Sequence, residues 1–374
     1  MRVNAPRIGV ISVSLAGERI DLCPPFEESL AADLERSGFD VIRAAEVALG
    51  ADAVIEGVRE LGRRGAAVIL YAIGTWIDPP MVVRAAQACG LPSVLVANPA
   101  PASFGFTGAS AVHGALDRLA LPHRIQLGGP DGEGWETSVL AFARAVAVAQ
   151  GFRRSTYGLF GGQTPGQYTG SVDLLEARDT FGLEIGQIDE LAIVDRARAM
   201  DDERALEVGA HLAHDYGGVD GDPDALLRSI KLRLALEEEL RERDLTFASV
   251  KCLGETIQSY ASFCVAASLL NDADRTISCQ GDVPTTIVME ALRQLSGEPG
   301  FFADLIRLDP KRGAGRLGNC GVRPVSLAAR PRDIRWLRQY DYMGAGGGVT
   351  SSFCTRPGRV TVAAMTRIQK AFAS

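Results

Sequence analysis

Residues 246–255 read Thr-Phe-Ala-Ser-Val-Lys-Cys-Leu-Gly-Glu, and residues 271–286 read Asn-Asp-Ala-Asp-Arg-Thr-Ile-Ser-Cys-Gln-Gly-Asp-Val-Pro-Thr-Thr. An apolar strand from Leu245 to Val250 runs into Lys251, Cys252 and Glu255. A second short strand, Thr276 to Ser278, runs into Cys279, Gln280 and Asp282. Two strand ends thus each deliver one carboxylate, with a helix-length segment between them. In α/β proteins the carboxyl ends of parallel strands are where ligands bind. Two carboxylates brought together there either hold a divalent metal or divide general acid and general base work. The alternative is that Glu255 caps a helix and Asp282 sits in a turn before Pro284, since Asp and Glu are ordinary at helix starts.

Working back toward the amino terminus, apolar runs alternate with amphipathic ones. Strands are expected at Arg7–Val13, Val41–Arg43, Ala66–Tyr71 and Ser93–Ala97, and helices at Phe26–Ser37, Val54–Arg64 and Met81–Cys89. Glycines stop two of these helices, at Gly38 and Gly90. This alternation predicts a doubly wound parallel sheet. A helix over Glu136–Ala149 closes the first unit. The pattern then restarts with a strand at Thr156–Phe160, a helix at Asp173–Phe181 and a strand at Glu184–Ile188. Helices follow at Ala197–Ala213, at Pro223–Arg243 and, after Asp282, at Thr285–Leu295. The charges Glu237, Glu238, Glu239, Arg241, Glu242 and Arg243 read as a solvated helix face. His211 and His214 stand at metal-ligand spacing but read as a solvated helix end.

After Gly300 the texture changes to short strand-like runs, Phe302–Leu308 and Gly358–Arg367, separated by glycine-rich turns such as Tyr342–Val349. The expected fold class is therefore α/β, with two consecutive doubly wound parallel-sheet domains followed by a β-rich, barrel-like module. The expected domains are residues 1–152, 153–299 and 300–374.

Composition narrows the function. A chain of 374 residues is too long for one typical core. The formal charge of −7 and the lack of any Lys/Arg cluster argue against nucleic acid. Seven scattered cysteines without a CxxC pair read as reduced thiols, hence a cytoplasmic protein. No apolar run reaches the roughly 18 residues needed to span a bilayer. No GxGxxG follows the first strand, so dinucleotide binding is unsupported. Two loops invite a ligand: Ile73–Pro80 carries Trp76, and Asn98–Gly105 carries Phe104. Both aromatic rings either stack on a sugar or pack in a core or interface. The loop Gly161-Gly162-Gln163-Thr164-Pro165-Gly166 offers backbone N–H groups and the Gln163 amide to hydroxyls; it lacks the Lys of a P-loop.

These landmarks together resemble the L-fucose/L-arabinose isomerase-like family, over most of the chain and most specifically at Phe247–Leu292 and Gly358–Arg367. The resemblance implies that Glu255 and Asp282 bind a divalent metal, Mn²⁺ or Mg²⁺, and assist proton transfer between aldose C1 and C2. The family's third ligand is a C-terminal histidine. Here all four histidines precede Glu255, and Gly318-Asn319-Cys320-Gly321 places Asn319 at that position. Gln280 stands where an acidic residue often precedes the Gly-Asp pair. An Asn carbonyl is a weaker ligand than imidazole, though hard cations accept oxygen. The resemblance further implies a homo-oligomer, trimeric or hexameric, with a neighbour's first domain completing the site.

The expected function is a metal-dependent aldose–ketose isomerase acting through an enediol. Glu255 and Asp282 are its catalytic pair and, with Asn319, its metal ligands. Lys251, Gln163, Trp76 and Gln280 bind the substrate. The alternatives are an epimerase or lyase on the same scaffold with an altered metal shell, or a non-catalytic sugar-binding protein. Cys252, Cys279 and Cys320 are expected to cluster near the site, because each adjoins a site residue.

Overall fold

The structure is a computed structural model and describes residues 6–339 and 347–365. Contacts divide the chain into two compact units, Val3–Gln150 and Gly151–Ser374, so residues 300–374 group with the second.

The first unit runs β1 (Arg7–Ser14), α1 (Cys23–Arg36), β2 (Asp40–Arg43), β3 (Ala48–Leu49), α2 (Ala51–Arg63), β4 (Val68–Ile73), α3 (Pro79–Cys89), β5 (Ser93–Ala97), α4 (Gly105–Arg118), β6 (His123–Leu127) and α5 (Ala141–Phe152). Its parallel sheet has the order β2-β1-β4-β5-β6, with β3 pairing the end of β1. Alternation along β4 shows why both faces are covered. Ile69, Tyr71 and Ile73 enter one core with Val58 and Leu61 of α2. Val68, Leu70 and Ala72 enter another with Leu30 and Leu34 of α1. A strand buried on both faces must be apolar throughout, and β4 is.

The second unit runs β7 (Thr156–Phe160), α6 (Leu174–Phe181), β8 (Glu184–Ile188), α7 (Leu191–Ala199), α8 (Asp202–Asp215), α9 (Pro223–Glu242), β9 (Phe247–Val250), α10 (Glu255–Ser259), α11 (Cys264–Asp272), β10 (Thr276–Cys279) and α12 (Val283–Ser296). Its parallel sheet has the order β10-β9-β7-β8. The chain goes from β7 outward to β8, then crosses back to β9 and on to β10. The strand order therefore reverses between β7 and β9, and a crevice opens there at the carboxyl ends. The class is α/β with two doubly wound parallel sheets.

After α12 come two small antiparallel sheets, β11 (Asp304–Asp309) with β12 (Ala314–Gly318), and β13 (Arg335–Arg338) with β14 (Val349–Ser352). Trp336 and Val349 pack with Leu226, Ile230 and Leu234 of α9 and with Val265. The β11–β12 hairpin instead leaves Leu305, Ile306 and Leu308 exposed. Among the described residues these pairs do not close into a barrel. The strand expected at Gly358–Arg367 is corrected over its described part: residues 358–365 carry no strand and are mostly exposed. Its last residues, and most of the glycine-rich turn from Tyr342, lie outside the described residues.

Two further expectations are corrected. The helix over 197–213 is two helices, broken between Ala199 and Asp202, because Met200 and Asp201 are extended. The charged end of α9 is not wholly solvated. The Glu239 side chain is 4% exposed and its carboxylate meets Arg196 and Arg243. A buried carboxylate needs such partners, and Arg196 on α7 supplies one across the helix pair. Among the described residues no helix is long and apolar enough to cross a membrane.

Candidate functional site

Hydrogen bonds running past the strand ends hold the crevice loops of the second unit in register. Gly161 N donates to Ile188 O (2.9 Å), Lys251 N to Phe160 O (2.9 Å), Gly281 N to Val250 O (3.3 Å) and Thr164 N to Gln280 O (3.0 Å). Loops after β7, β8, β9 and β10 are thereby tied together. The tightest junction is at Gly281. A Cβ there would lie 2.2 Å from Gly162 O and 2.8 Å from Gln163 Cα, and its φ is +67°. Only glycine fits such an approach in that conformation. The preceding Gln280 is also left-handed, at φ 68°. A side-chain-bearing residue there carries strain, which tends to collect at functional turns.

The sequence reading missed a strongly perturbed carboxyl in this crevice, that of Glu190. It directly follows β8 and Asp189 and is buried. Gly161 makes room for it: an added Cβ would lie 3.1 Å from both Glu190 Cβ and Lys251 Cβ. Burial pushes the Glu190 carboxyl up to about 7, against the opposing pull of the Thr256 hydroxyl and the Lys251 ammonium. Glu190 Oε1 has no hydrogen-bond partner. The Lys251 side chain is only 16% exposed and its Nζ lies 2.6 Å from Glu255 Oε2. Glu255 itself opens α10, is 78% exposed, and is held below the usual carboxylate range mainly by that hydrogen bond from Lys251. Glu190, Lys251 and Glu255 thus form an acid–base–acid row from buried to exposed.

The other expected residues fall around this row in different ways. Asp282 caps α12: its Oδ1 accepts from Thr285 N at 2.9 Å. Gln163 donates from Nε2 to Gln167 O at 3.2 Å and so braces its own loop. Gln280 contributes its carbonyl to Thr164 N. Asn319 lies in the loop after β12. Its Oδ1 accepts from Gly321 N (3.0 Å) and Val322 N (3.2 Å), and its Nδ2 points to Cys279 Sγ at 3.9 Å. The nearby Asp304 carboxyl is pushed up by burial, against the pull of the Asn319 amide.

Trp76 belongs to the first unit. It follows β4 at that unit's own strand-order reversal, where Ser14 Oγ and Thr75 Oγ1 are 2.6 Å apart, and its side chain is half-buried. Phe104, in the same unit, is 63% exposed and fills no core.

Whether the expected metal fits depends on free oxygens. Glu255 gives one oxygen to Lys251, Asp282 gives one to the α12 backbone, and the Asn319 oxygen is taken twice by its own loop. Among the described residues no three His, Cys, Asp or Glu side chains are arranged to hold a metal ion. As placed, this donor set does not fit a shared divalent cation, and no chemical step below runs through one. His214 Nδ1 instead lies 2.8 Å from Asp215 Oδ1, at an exposed helix end.

Cys252, Cys279 and Cys320 follow or end β9, β10 and β12, and the Cys279 thiol is pushed up by Cys252 and by burial. The Cys264 thiol, not anticipated because no site residue adjoins it in sequence, is pushed up by Cys320 and by burial. The open depression lined by Arg153, Leu175, Arg178, Asp179 and Gly182 lies toward the amino ends of β7 and β8, away from this chemistry.

No protein-family model matches the chain. It is 18% identical over 268 residues to the sulfoquinovose isomerase of Priestia aryabhattai, covering 70% of this chain and 60% of that protein. It is 24% identical over 206 residues to the sulfoquinovose isomerase of Clostridium sp. (strain MSTE9), covering 54% of this chain and 45% of that one. The chain thus spans at most about 60% of the length of these curated relatives. Among solved structures it is similar to a D-allose-bound periplasmic solute-binding protein of an ABC transporter from Actinobacillus succinogenes 130z. The identity is 15%, the coverage 82% of this chain and 99% of that one, and the TM-score 0.21. A myo-inositol-bound solute-binding protein from Bacillus halodurans C-125 gives 14% identity, 79% and 91% coverage and a TM-score of 0.22. At such scores these two likenesses carry no argument.

Proposed function

We propose that the crevice at the carboxyl ends of β7–β10 isomerises an aldose to a ketose by proton transfer, with sulfoquinovose or a related sugar as substrate. One observation carries the reading: Glu190, a buried carboxyl poised near 7 with one oxygen unpartnered, stands beside the Lys251 ammonium. The distant similarity to sulfoquinovose isomerases supports the substrate class.

A 1,2-isomerisation of the open-chain sugar moves one proton from C2 to C1 and, by way of solvent, one from O2 to O1, with no net change of oxidation state. It needs a base whose pKa lies near the working pH, and a cation where the enediolate oxygen develops charge. Glu190, ionised, takes the C2 proton and returns it to C1. Lys251 stabilises the oxyanion. Glu255, expected as a catalytic carboxylate, is assigned the task of holding Lys251 in place. Asp282, Gln280 and Gln163 line the rim as hydroxyl partners. Returning the proton to C2 from the opposite face would make the same site an epimerase.

The test is incubation of purified protein with sulfoquinovose and a panel of aldoses in D₂O, followed by NMR. Deuterium at C1 of a new ketose supports the reading. Deuterium at C2 with inverted configuration identifies the epimerase. Saturable binding with neither a new sugar nor exchange overturns both and leaves a sugar-binding protein.

A further inference from the structure

Two imidazoles meet in the first unit, although ten residues separate them in the chain. His113 lies in the second half of α4, and His123 opens the edge strand β6. His113 Nδ1 and His123 Nε2 are 2.7 Å apart, with the ring centroids at 4.9 Å. The turn between them is fixed: Leu121 N donates to Leu116 O and Ala120 N to Asp117 O, both at 3.0 Å. His123 is buried, and its Nδ1 lies 2.8 Å from Leu121 O. A carbonyl only accepts, so the proton of the neutral His123 ring sits on Nδ1. Its Nε2 is then a lone pair aimed at His113. His113 Nε2 has no hydrogen-bond partner among the described residues.

We propose that His113 Nδ1 and His123 Nε2 bind one divalent transition-metal ion of the zinc, nickel or copper class, as a clip between α4 and β6. Imidazole nitrogen suits these ions, whereas Mn²⁺ stands at the weak end of the affinity order and Mg²⁺ prefers oxygen. A ligating histidine donates its other N–H to a carbonyl or carboxylate, which fixes ring and tautomer. His123 already does so through Leu121 O. The ion takes the place of the proton between the rings. That proton passes through solvent from His113 Nδ1 to His113 Nε2, so both rings stay neutral and no net proton is released. Two Zn–N bonds of about 2.0–2.1 Å at a tetrahedral angle set the nitrogens about 3.3 Å apart, so the rings part by roughly 0.6 Å. Water takes the remaining positions. Asp117, one turn along α4 from His113, lines the same depression and brings a carboxylate to it, though it is not placed as a third ligand. The Arg124 guanidinium, also at this depression, is drawn over the Phe142 ring, 5.4 Å from its centroid.

The consequence falls on the edge of the sheet. β6 is its outermost strand, paired only with β5 among the described residues. A bound ion would tie that strand to the helix before it and stabilise the first unit as the logarithm of free metal rises.

The experiment uses the full-length chain with His211→Asn and His214→Asn. These remove the two exposed histidines and leave His113 and His123 as the only imidazoles, so thiols that take up metal do not enter the readout. Protein with isotope-labelled histidine is stripped with a chelator and titrated with Zn²⁺, and the ring nitrogens are followed by NMR. His113 Nδ1 and His123 Nε2 should shift together and saturate together, with the His113 proton found on Nε2. The midpoint for the remaining ring should rise at least about tenfold in His113→Gln or His123→Gln, since even the loss of an outer partner costs that much. Mn²⁺ at the same concentrations should move neither ring's signals to saturation. Should His123→Gln fail to fold, His113→Gln and the two-histidine protein decide the matter. Ring signals that zinc leaves in place overturn the proposal, as does a shift at His113 Nε2 alone or an unchanged midpoint in His113→Gln.

Discussion

Replacing Glu190 by Gln tests the site through stability as well as through chemistry. In the folded chain burial raises the carboxyl from 4.5 to about 7. Between those values the folded protein keeps a proton that the unfolded chain releases. Stability therefore falls as pH rises across that window, and levels off above about 7. At about 1.4 kcal/mol per pKa unit, the loss reaches about 3 kcal/mol. Glu190→Gln removes the titration and keeps the shape. Above pH 7 the variant should be more stable than wild type by up to about 3 kcal/mol, less about 1 kcal/mol for an imperfectly bonded amide. Below pH 4.5 that advantage should vanish. Urea unfolding at pH 5 and pH 8 reads this out. Trp336 is buried in the second unit, and changing Trp76 and Trp135 to Phe leaves it as the reporter. The same variant should lose about 10²–10⁴-fold in proton exchange, the usual contribution of a positioned base. If the urea midpoints of wild type and Glu190→Gln shift equally between the two pH values, the carboxyl is not displaced and the proposed base loses its physical ground.

Four further outcomes are expected. Lys251→Met removes the cation that restrains Glu190, so the Glu190 carboxyl should rise further and the ascending limb of a pH–rate profile, near 7 in wild type, should move to higher pH; an unmoved limb would show that another group titrates. Gly281→Ala places a Cβ against Gly162 O at positive φ and should cost roughly 2–4 kcal/mol in chemical denaturation; a neutral effect would mean that the two loops are not in contact. Melting curves with increasing Mn²⁺ should barely move for wild type, Glu255→Gln or Asp282→Asn, whereas a wild-type gain rising with the logarithm of Mn²⁺ and lost in either variant would restore the metal site that the family resemblance implies. Light scattering at micromolar concentration should give the mass of several chains, in keeping with that resemblance; the mass of one chain would count against assembly.

Sequence carried most clearly those sheet strands that are buried on two faces and leave no ambiguity of period. The runs at Arg7–Ser14 and Val68–Ile73 could be little else. It did not carry α4 and β6. The helix Gly105–Arg118 contains three glycines and reads as loop by propensity, yet its backbone must lie close to Ile73 and Ile77, which glycine alone permits. β6 is an edge strand with an alternating polar pattern too short to announce itself. At the site, the positions of Lys251, Glu255 and Asp282 at strand ends were legible, but their partners were not. The family resemblance put Glu255 and Asp282 on one cation, where spacing alone left a helix cap open, while folding gave one to Lys251 and the other to a helix cap. Glu190 left no signal, because a single Glu after a short edge strand is unremarkable until burial by neighbouring loops displaces its proton equilibrium.

The meeting of Gly162 and Gly281 also orders events in time. β9 lies between β7 and β10 in the sheet, yet the loops that touch belong to the outer two of the three. They can close over the end of β9 only after that strand has inserted between its neighbours, so the crevice is completed after three segments distant in the chain have assembled. Contacts of such long sequence separation form slowly. A chain interrupted before β9 docks would hold native helices but no crevice, and recovery of ligand binding should lag behind recovery of helical signal during refolding.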